Sequence, residues 1–266
     1  MTYLPRAAVA ASAEWPDLVV ELDCWGEAGR AAPLWWRDDD AVAPNPALDR
    51  LLALAGGTPL ALAVIPADAV GELAAALAVF PQVAVLQHGW CHANRAAGYP
   101  GAGKKSEYPA ERHPVEIADE LDEGRRRLAA LFGGRALPVF VPPWNRFADR
   151  FAPLLAEAGF AALSRLAPRR GPCPPAGITE LDVHLDVVDW HGTRGFIGTG
   201  LALGRLIAEL RAQRRGAVES AGAIGILTHH LVMDRATEDF LAQLLLWTRG
   251  RPSARWLVAD ELLAAR

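Results

Sequence analysis

The sequence predicts an α/β protein built as a distorted (β/α)7-type barrel. Three observations carry that expectation. Short apolar runs alternate with helix-forming segments about seven times along 266 residues, and such alternation implies a parallel sheet. Four of the apolar runs end abruptly in acids or histidines, as strands do when their C-terminal ends open onto a common mouth. No internal repeat or composition shift divides the chain, and its length suits one barrel. Residues 1–30 read as an N-terminal extension packed on the barrel, with residues 31–266 as the barrel itself.

The elements follow in order. A helix spans about Pro16 to Gly26. Ala32 to Trp36 reads as a strand that stops in Arg37-Asp38-Asp39-Asp40. Pro46 to Leu54 is a helix with Asn45 as N-cap and Pro46 at its first position. Pro59 to Ile65 is a strand, Asp68 to Phe80 an Ala-rich helix, and Val83 to Leu86 a strand leading to His88. The polar segment 89–114 is long for a compact domain and therefore a functional candidate, with Lys104 to Tyr108 as a possible lid. Val115 to Phe132 is a helix with acids early and arginines late, which suits its dipole. A strand at Leu137 to Val141 runs into Pro142-Pro143-Trp144-Asn145-Arg146, and a helix follows over Phe147 to Ala158. Phe160 to Leu163 is a short strand, and 168–175 is a Pro/Arg loop. Ile178 to Val188 carries a strand ending near Asp186 and Asp189. A helix over Gly200 to Arg215, a strand over Gly222 to Leu227 ending at His229-His230, and a helix over Ala236 to Arg249 complete the alternation. Ala254 to Val258 is a last strand before a short terminal helix.

Composition narrows the function. A hydrophobic fraction of 52% supports a sizeable core, and 22% charged residues argue against global disorder. A net charge of −4 supplies no attraction for nucleic acid or an anionic membrane. No run approaches the ~20 apolar residues of a membrane span. Cys24, Cys91 and Cys173 are too few and too irregular for a disulfide framework, which fits a reducing, cytoplasmic setting. An open doubly wound sheet binding a nucleotide would need a Gly-rich first turn; here that turn is RDDDAVAPNP.

The strand ends suggest metal-assisted hydrolysis. His88 and His92 lie four residues apart, and two neutral imidazoles plus one carboxylate make a three-donor site with a position open for water. A bound Zn²⁺ lowers the pKa of that water toward ~7. A second carboxylate can then serve as base and a separate histidine as acid. Cys91 could also ligate a soft metal.

RDDD, HGWCH, FVPPWN, DVVDW and LTHH, in that order, resemble the five motifs of the polysaccharide deacetylase (NodB-homology) family. The resemblance runs from Leu34 to Leu231. It implies a metal-dependent deacetylase of an N-acetyl or O-acetyl sugar on a distorted barrel, with one divalent transition metal, zinc favoured, and a small-molecule or glycan substrate. By position, Asp38 is the expected base and Asp39, His88 and His92 the expected metal ligands. Pro143 and Trp144 would form one groove wall and Trp190 another. Asp189 would support the acid His229, and the oxyanion would be held by the metal and a backbone N–H near Trp144.

Several positions depart from the family pattern. The arginine expected before the Pro pair is Val141, with Arg37 or Arg146 as substitutes, and Arg37 is also a candidate for substrate contact. Asp40 stands where the first motif has Gly, so a register with Asp39 as base and Asp40 as ligand is the alternative. His230 competes with His229. Two further functions stay open: a metal-dependent amidase on a small non-sugar substrate, and a catalytically silent glycan-binding barrel.

Overall fold

Every pairing between named strands is parallel, as the alternation requires. The computed structural model describes residues 12–100, 103–167, 177–216 and 222–264. The first eleven residues of the N-terminal extension, the Pro/Arg loop 168–175 and Cys173 lie outside the described residues. The chain begins with α1 (Trp15–Glu27), β1 (Ala32–Ala41), α2 (Pro46–Ala55), β2 (Leu60–Val64), α3 (Gly71–Leu77) and β3 (Val83–His88). It continues through α4 (Pro114–Phe132), β4 (Ala136–Val141), α5 (Ala152–Glu157), β5 (Ala162–Leu163), β6 (Thr179–Glu180) and β7 (Val183–Asp186). It ends with α6 (Thr199–Arg214), β8 (Ile224–Thr228), α7 (Arg235–Thr248), β9 (Ala254–Trp256) and α8 (Ala259–Ala264).

The sheet order is β6-β5-β4-β3-β2-β1-β8-β7, with β9 added against the start of β1. Leu166, just past β5, bridges Val183 of β7. Two backbone hydrogen bonds of 2.8 Å flank that bridge, Val183 N–H to Arg165 and Ala167 N–H to Val183. The sheet thus curls back on itself, with β6 and β7 acting as one interrupted strand. This seam is the irregular part of the barrel and its shortest pairing.

Side-chain alternation along each strand splits the core in two. Trp35, Ala61, Ala63, Leu86, Val139 and Val141 belong to one buried cluster, enclosed by the curled sheet. Leu34, Trp36, Leu62, Val64 and Val85 face the helical layer and pack with α1, α2, α6 and α7. Each such side chain, fully buried, contributes about 1.5–3 kcal/mol. Small residues opposite Trp35 make room for its ring: a Cβ on Gly225 would lie 2.4 Å from Trp35 Nε1. Asn45 caps α2, accepting N–H bonds from Ala47 and Leu48 at 3.0 and 2.9 Å. In α1, Leu18, Leu22 and Trp25 are buried, and Glu21 is clamped by Arg211 and Arg214 of α6.

The structure differs from the sequence expectations at three places. β1 does not stop at Trp36 but continues through the three acids to Ala41, because Arg37 and Asp38 still find ladder partners in β2 and β8. The helix expected over 68–80 shortens to α3, preceded by a 3₁₀ turn at Pro66–Asp68. The helix expected from Phe147 starts as a 3₁₀ turn at Asp149–Phe151; the α-helix carries Pro153 in its first turn and ends just before Gly159, whose φ is 76°. Among the described residues, no helix is long and apolar enough to cross a membrane.

Candidate active site

Strand β1 sorts its acids by the pleat. Arg37 and Asp39 share one face, and Asp38 points to the other. The register between β1 and β2 then breaks between Asp38 and Ala41, where Asp40 adopts a left-handed φ of 76°. This bulge takes Asp40 out of the alternation and turns its carboxylate to the mouth.

His88 ends β3 and His92 follows a turn. The two are not joined by a helix: Gly89 has φ 59° and His92 φ 54°, and the chain doubles back between them. Their rings lie 5.1 Å apart. Asp40 Oδ1 is 3.1 Å from His88 Nε2 and 3.3 Å from His92 Nε2. The ligand atoms of Asp40, His88 and His92 all lie within 4.8 Å of one another. The carboxylate beside the two histidines is therefore that of Asp40, in the alternative register, and not that of Asp39.

The donor chemistry fits a cation. His88 Nδ1 is 3.0 Å from the Val141 carbonyl, which can only accept, so that nitrogen carries a hydrogen. Neutral His88 then presents a lone pair on Nε2 toward the Asp40 carboxylate. Two acceptors at that distance need a proton or a metal between them. Burial opposes charge on His88, but the Asp39 and Asp40 carboxylates outweigh it and raise its pKa. Burial likewise works against the Asp40 carboxylate, yet His88, His229 and His92 hold its pKa below the ordinary value. His92, disfavoured by burial and by His88, is shifted down.

Asp39, expected as a ligand, is instead gripped by Arg37. Arg37 Nε and Nη2 donate to its two oxygens at 2.8 and 3.0 Å. The same guanidinium donates to Ser164 Oγ at 2.6 Å and Asn145 Oδ1 at 2.8 Å. Arg37 is fully buried, so it is not placed to touch a substrate. The buried guanidinium thus fixes Asp39 from the same strand. Asp39 Oδ2 also lies 3.9 Å from His229 Nε2.

Asp38, expected as base, lies apart from the mouth. It is fully buried, with Thr228 Oγ1 donating to one oxygen at 2.6 Å and His230 Nδ1 at 2.5 Å from the other. Burial disfavours a charged His230, but the Asp38 contact outweighs it and raises its pKa. His230 is thus committed to Asp38, and His229 is the histidine facing Asp39.

Asp189 does not reach His229. Its carboxylate accepts N–H bonds from Gly192 and Thr193 and shapes the turn after β7. Asp186, three residues earlier, is bonded to Trp190, the ring that packs against His229. Burial raises the Asp186 pKa, opposed by His229 and by the Trp190 Nε1–H bond of 2.8 Å to Oδ2. Trp190 stands edge-on to His229, ring centroids 4.8 Å apart, and is 39% exposed. Trp144 packs on His92 at 4.4 Å. Trp144 and Asn145 both have φ 55°, a strained pair at the site. Pro143 is buried, its ring 2.6 Å from where a Gly89 Cβ would stand.

Cys91 donates its thiol to Glu107 Oε1 at 3.2 Å, and burial with the Glu107 charge raises its pKa. It is a protonated thiol turned to Glu107. The expected lid is divided: Lys104 and Lys105 are exposed, whereas Ser106, Glu107 and Tyr108 are buried beneath the mouth. Sequence reasoning missed Ser164 and placed Glu107 only within the candidate lid. Asp186 left a signal, as an acid at the end of an apolar run.

The sequence matches no protein-family model and no curated protein. Solved structures are similar in fold. A protein of Mycobacterium smegmatis named as a polysaccharide deacetylase aligns over 96% of this chain and 92% of its own, with TM-score 0.66 and 18% identity. A peptidoglycan N-acetylglucosamine deacetylase aligns over 87% and 88%, with TM-score 0.54 and 14% identity. A family 4 acetyl xylan esterase of Clostridium thermocellum, solved with a cobalt ion, aligns over 87% and 90%, with TM-score 0.52 and 16% identity. The chain therefore has the fold of the polysaccharide deacetylases and family 4 carbohydrate esterases.

Proposed function

We propose that this chain is a metal-dependent hydrolase that removes acetyl groups from an N-acetyl or O-acetyl sugar. The observation that carries the reading is the convergence of Asp40, His88 and His92 beside the Arg37-held Asp39 and His229. The three donors would hold one divalent transition metal, zinc by preference. When bound, such an ion supplies Lewis acidity that makes water a nucleophile near neutral pH.

The chain's own residues do the rest. Asp39, fixed by two hydrogen bonds from Arg37, is the base that takes a proton from the attacking water. Arg37 keeps that carboxylate in one orientation through Ser164 and Asn145. His229 gives a proton to the departing nitrogen or oxygen. We assign the Trp144 N–H to the oxyanion; the Asn145 and Arg146 N–H groups are already bonded to Pro142 and Pro143. Trp190 and Trp144 form apolar walls that suit a sugar ring.

Arg37 also weakens the case for a silent glycan-binding barrel, which rested on the missing third-motif arginine. An amidase acting on a small non-sugar substrate remains the second reading, favoured by no separate observation. The test is turnover by the zinc-loaded chain on acetylated sugars, acetyl esters, ureides and cyclic amides. Release of acetate from the sugars, lost in Asp39→Asn, is expected. Turnover confined to the cyclic amides would replace the deacetylase reading with the amidase.

A further inference from the structure

The long segment between β3 and α4 carries a carboxylate that the proposed chemistry does not use. Glu107 is fully buried. It accepts the Cys91 N–H at 2.8 Å, the Trp90 N–H at 3.2 Å and the Cys91 thiol at 3.2 Å. Among the described residues no Lys, Arg or His pairs with its carboxylate. Neighbouring Arg112 is spent on Glu116 and Glu120 and reaches only the Glu107 carbonyl. A buried carboxylate without a cation costs several kcal/mol, and hydrogen bonds alone repay part of it.

The residues that Glu107 grips are informative. Trp90 and Cys91 lie in the middle of the turn between His88 and His92. Their N–H groups fix the path by which the two rings come together. Gly89 leaves space for the grip, since a Cβ there would sit 2.1 Å from Glu107 Oε2. The Glu107 segment is itself pinned. Ser106 N–H donates to Asn94 Oδ1 and Ala96 N–H to the Ser106 carbonyl, both at 3.0 Å. The Tyr108 ring packs edge-on against Phe140 and Phe147.

We propose that Glu107 is a positioning residue for the cation site: it holds the Trp90–Cys91 turn so that His88 and His92 converge, and its negative charge adds to that of Asp40. The compensating charge missing from its own surroundings is then supplied by the divalent cation. This inference rests on Asp40, His88 and His92 being the ligand set.

The test uses the full chain and Co²⁺ alone as probe. Glu107→Gln keeps the side-chain shape and one acceptor but removes the charge. Expected is a Co²⁺ Kd about 10–100-fold weaker than the parent's, measured against a competing chelator on the folded variant. A Kd within about two-fold of the parent's would overturn the proposal. Should the variant fail to fold, amide exchange in the metal-free parent decides: slow exchange at Trp90 and Cys91 supports the grip, and exchange at loop-like rates overturns it. A parent that binds no Co²⁺ defeats the ligand set and this proposal with it. A parent that binds beside an unaltered Glu107→Gln defeats this proposal alone.

Discussion

Replacing Arg37 with Met tests how the base is held. The guanidinium makes four hydrogen bonds between 2.6 and 3.0 Å, two of them to Asp39, and both side chains are almost wholly buried. Met fills much of the same volume but strands the Asp39 charge and leaves Ser164 and Asn145 without that donor. Removing one partner of a buried pair costs about 3–5 kcal/mol. At roughly 2–4 °C per kcal/mol for a chain of this size, the melting temperature should fall by about 6–20 °C. Part of that loss is the stranded charge, so Arg37→Met combined with Asp39→Asn should cost less than the two single changes added. A coupling of about 2 kcal/mol is expected in the double-mutant cycle by chemical or thermal denaturation. A cost below about 1 kcal/mol for Arg37→Met, or strict additivity, would refute the argument that this pair is a desolvated unit.

Further outcomes follow from the geometry. His88 has a raised pKa in the metal-free chain, so a proton competes with the cation: affinity should climb as pH rises through that value, with proton release on binding, and pH-independent affinity in calorimetry would contradict it. Metal-free stability runs the other way, because the His88 and His230 contributions are full below ~6.5 and are lost as pH rises through their raised values. Burial lifts Asp182 from 3.8 to about 6, so its carboxylate costs stability once pH exceeds 3.8 and the cost is complete above about 6. Asp182→Asn should then stabilise by up to roughly 3 kcal/mol near pH 8 and by less near pH 5; equal effects at both would refute the burial argument. Gly89→Ala places a side chain at φ 59° against Glu107 and Pro143, and should destabilise by more than about 1 kcal/mol while weakening cation binding; a variant as stable as the parent would count against that close approach.

Much of the fold could be read from the chain because parallel strands and helices have different periods and ends. Asn45-Pro46 marked the start of α2, and the apolar run at Val83 located β3. The seam was harder to see, since β5 and β6 are two residues each and their pairing depends on tertiary closure rather than on local pattern. At the site, the residue types were legible but the register was not. Three consecutive aspartates look alike in sequence; the bulge at Asp40 decides which faces the mouth. Motif position pointed to Asp189, yet the turn after β7 consumes that carboxylate, and Asp186 is the acid bonded to the Trp190 ring beside His229. Arg37 was ambiguous because an arginine two residues before an acid on one strand reads equally as a surface group or as its buried partner. Glu107 could be placed only within a candidate lid, because its hydrogen bonds depend on a loop folding back over seventeen residues to Trp90.

The proposed cation site takes Asp40, and not Asp39, as the carboxylate beside His88 and His92. Metal content decides this in four purified proteins after incubation with zinc: the parent, Asp40→Ala, His88→Ala and Asp39→Asn. About one zinc per chain is expected in the parent and in Asp39→Asn, and loss of zinc from the other two. Retention by Asp40→Ala with loss from Asp39→Asn, or a parent that takes up no zinc, would contradict that assignment.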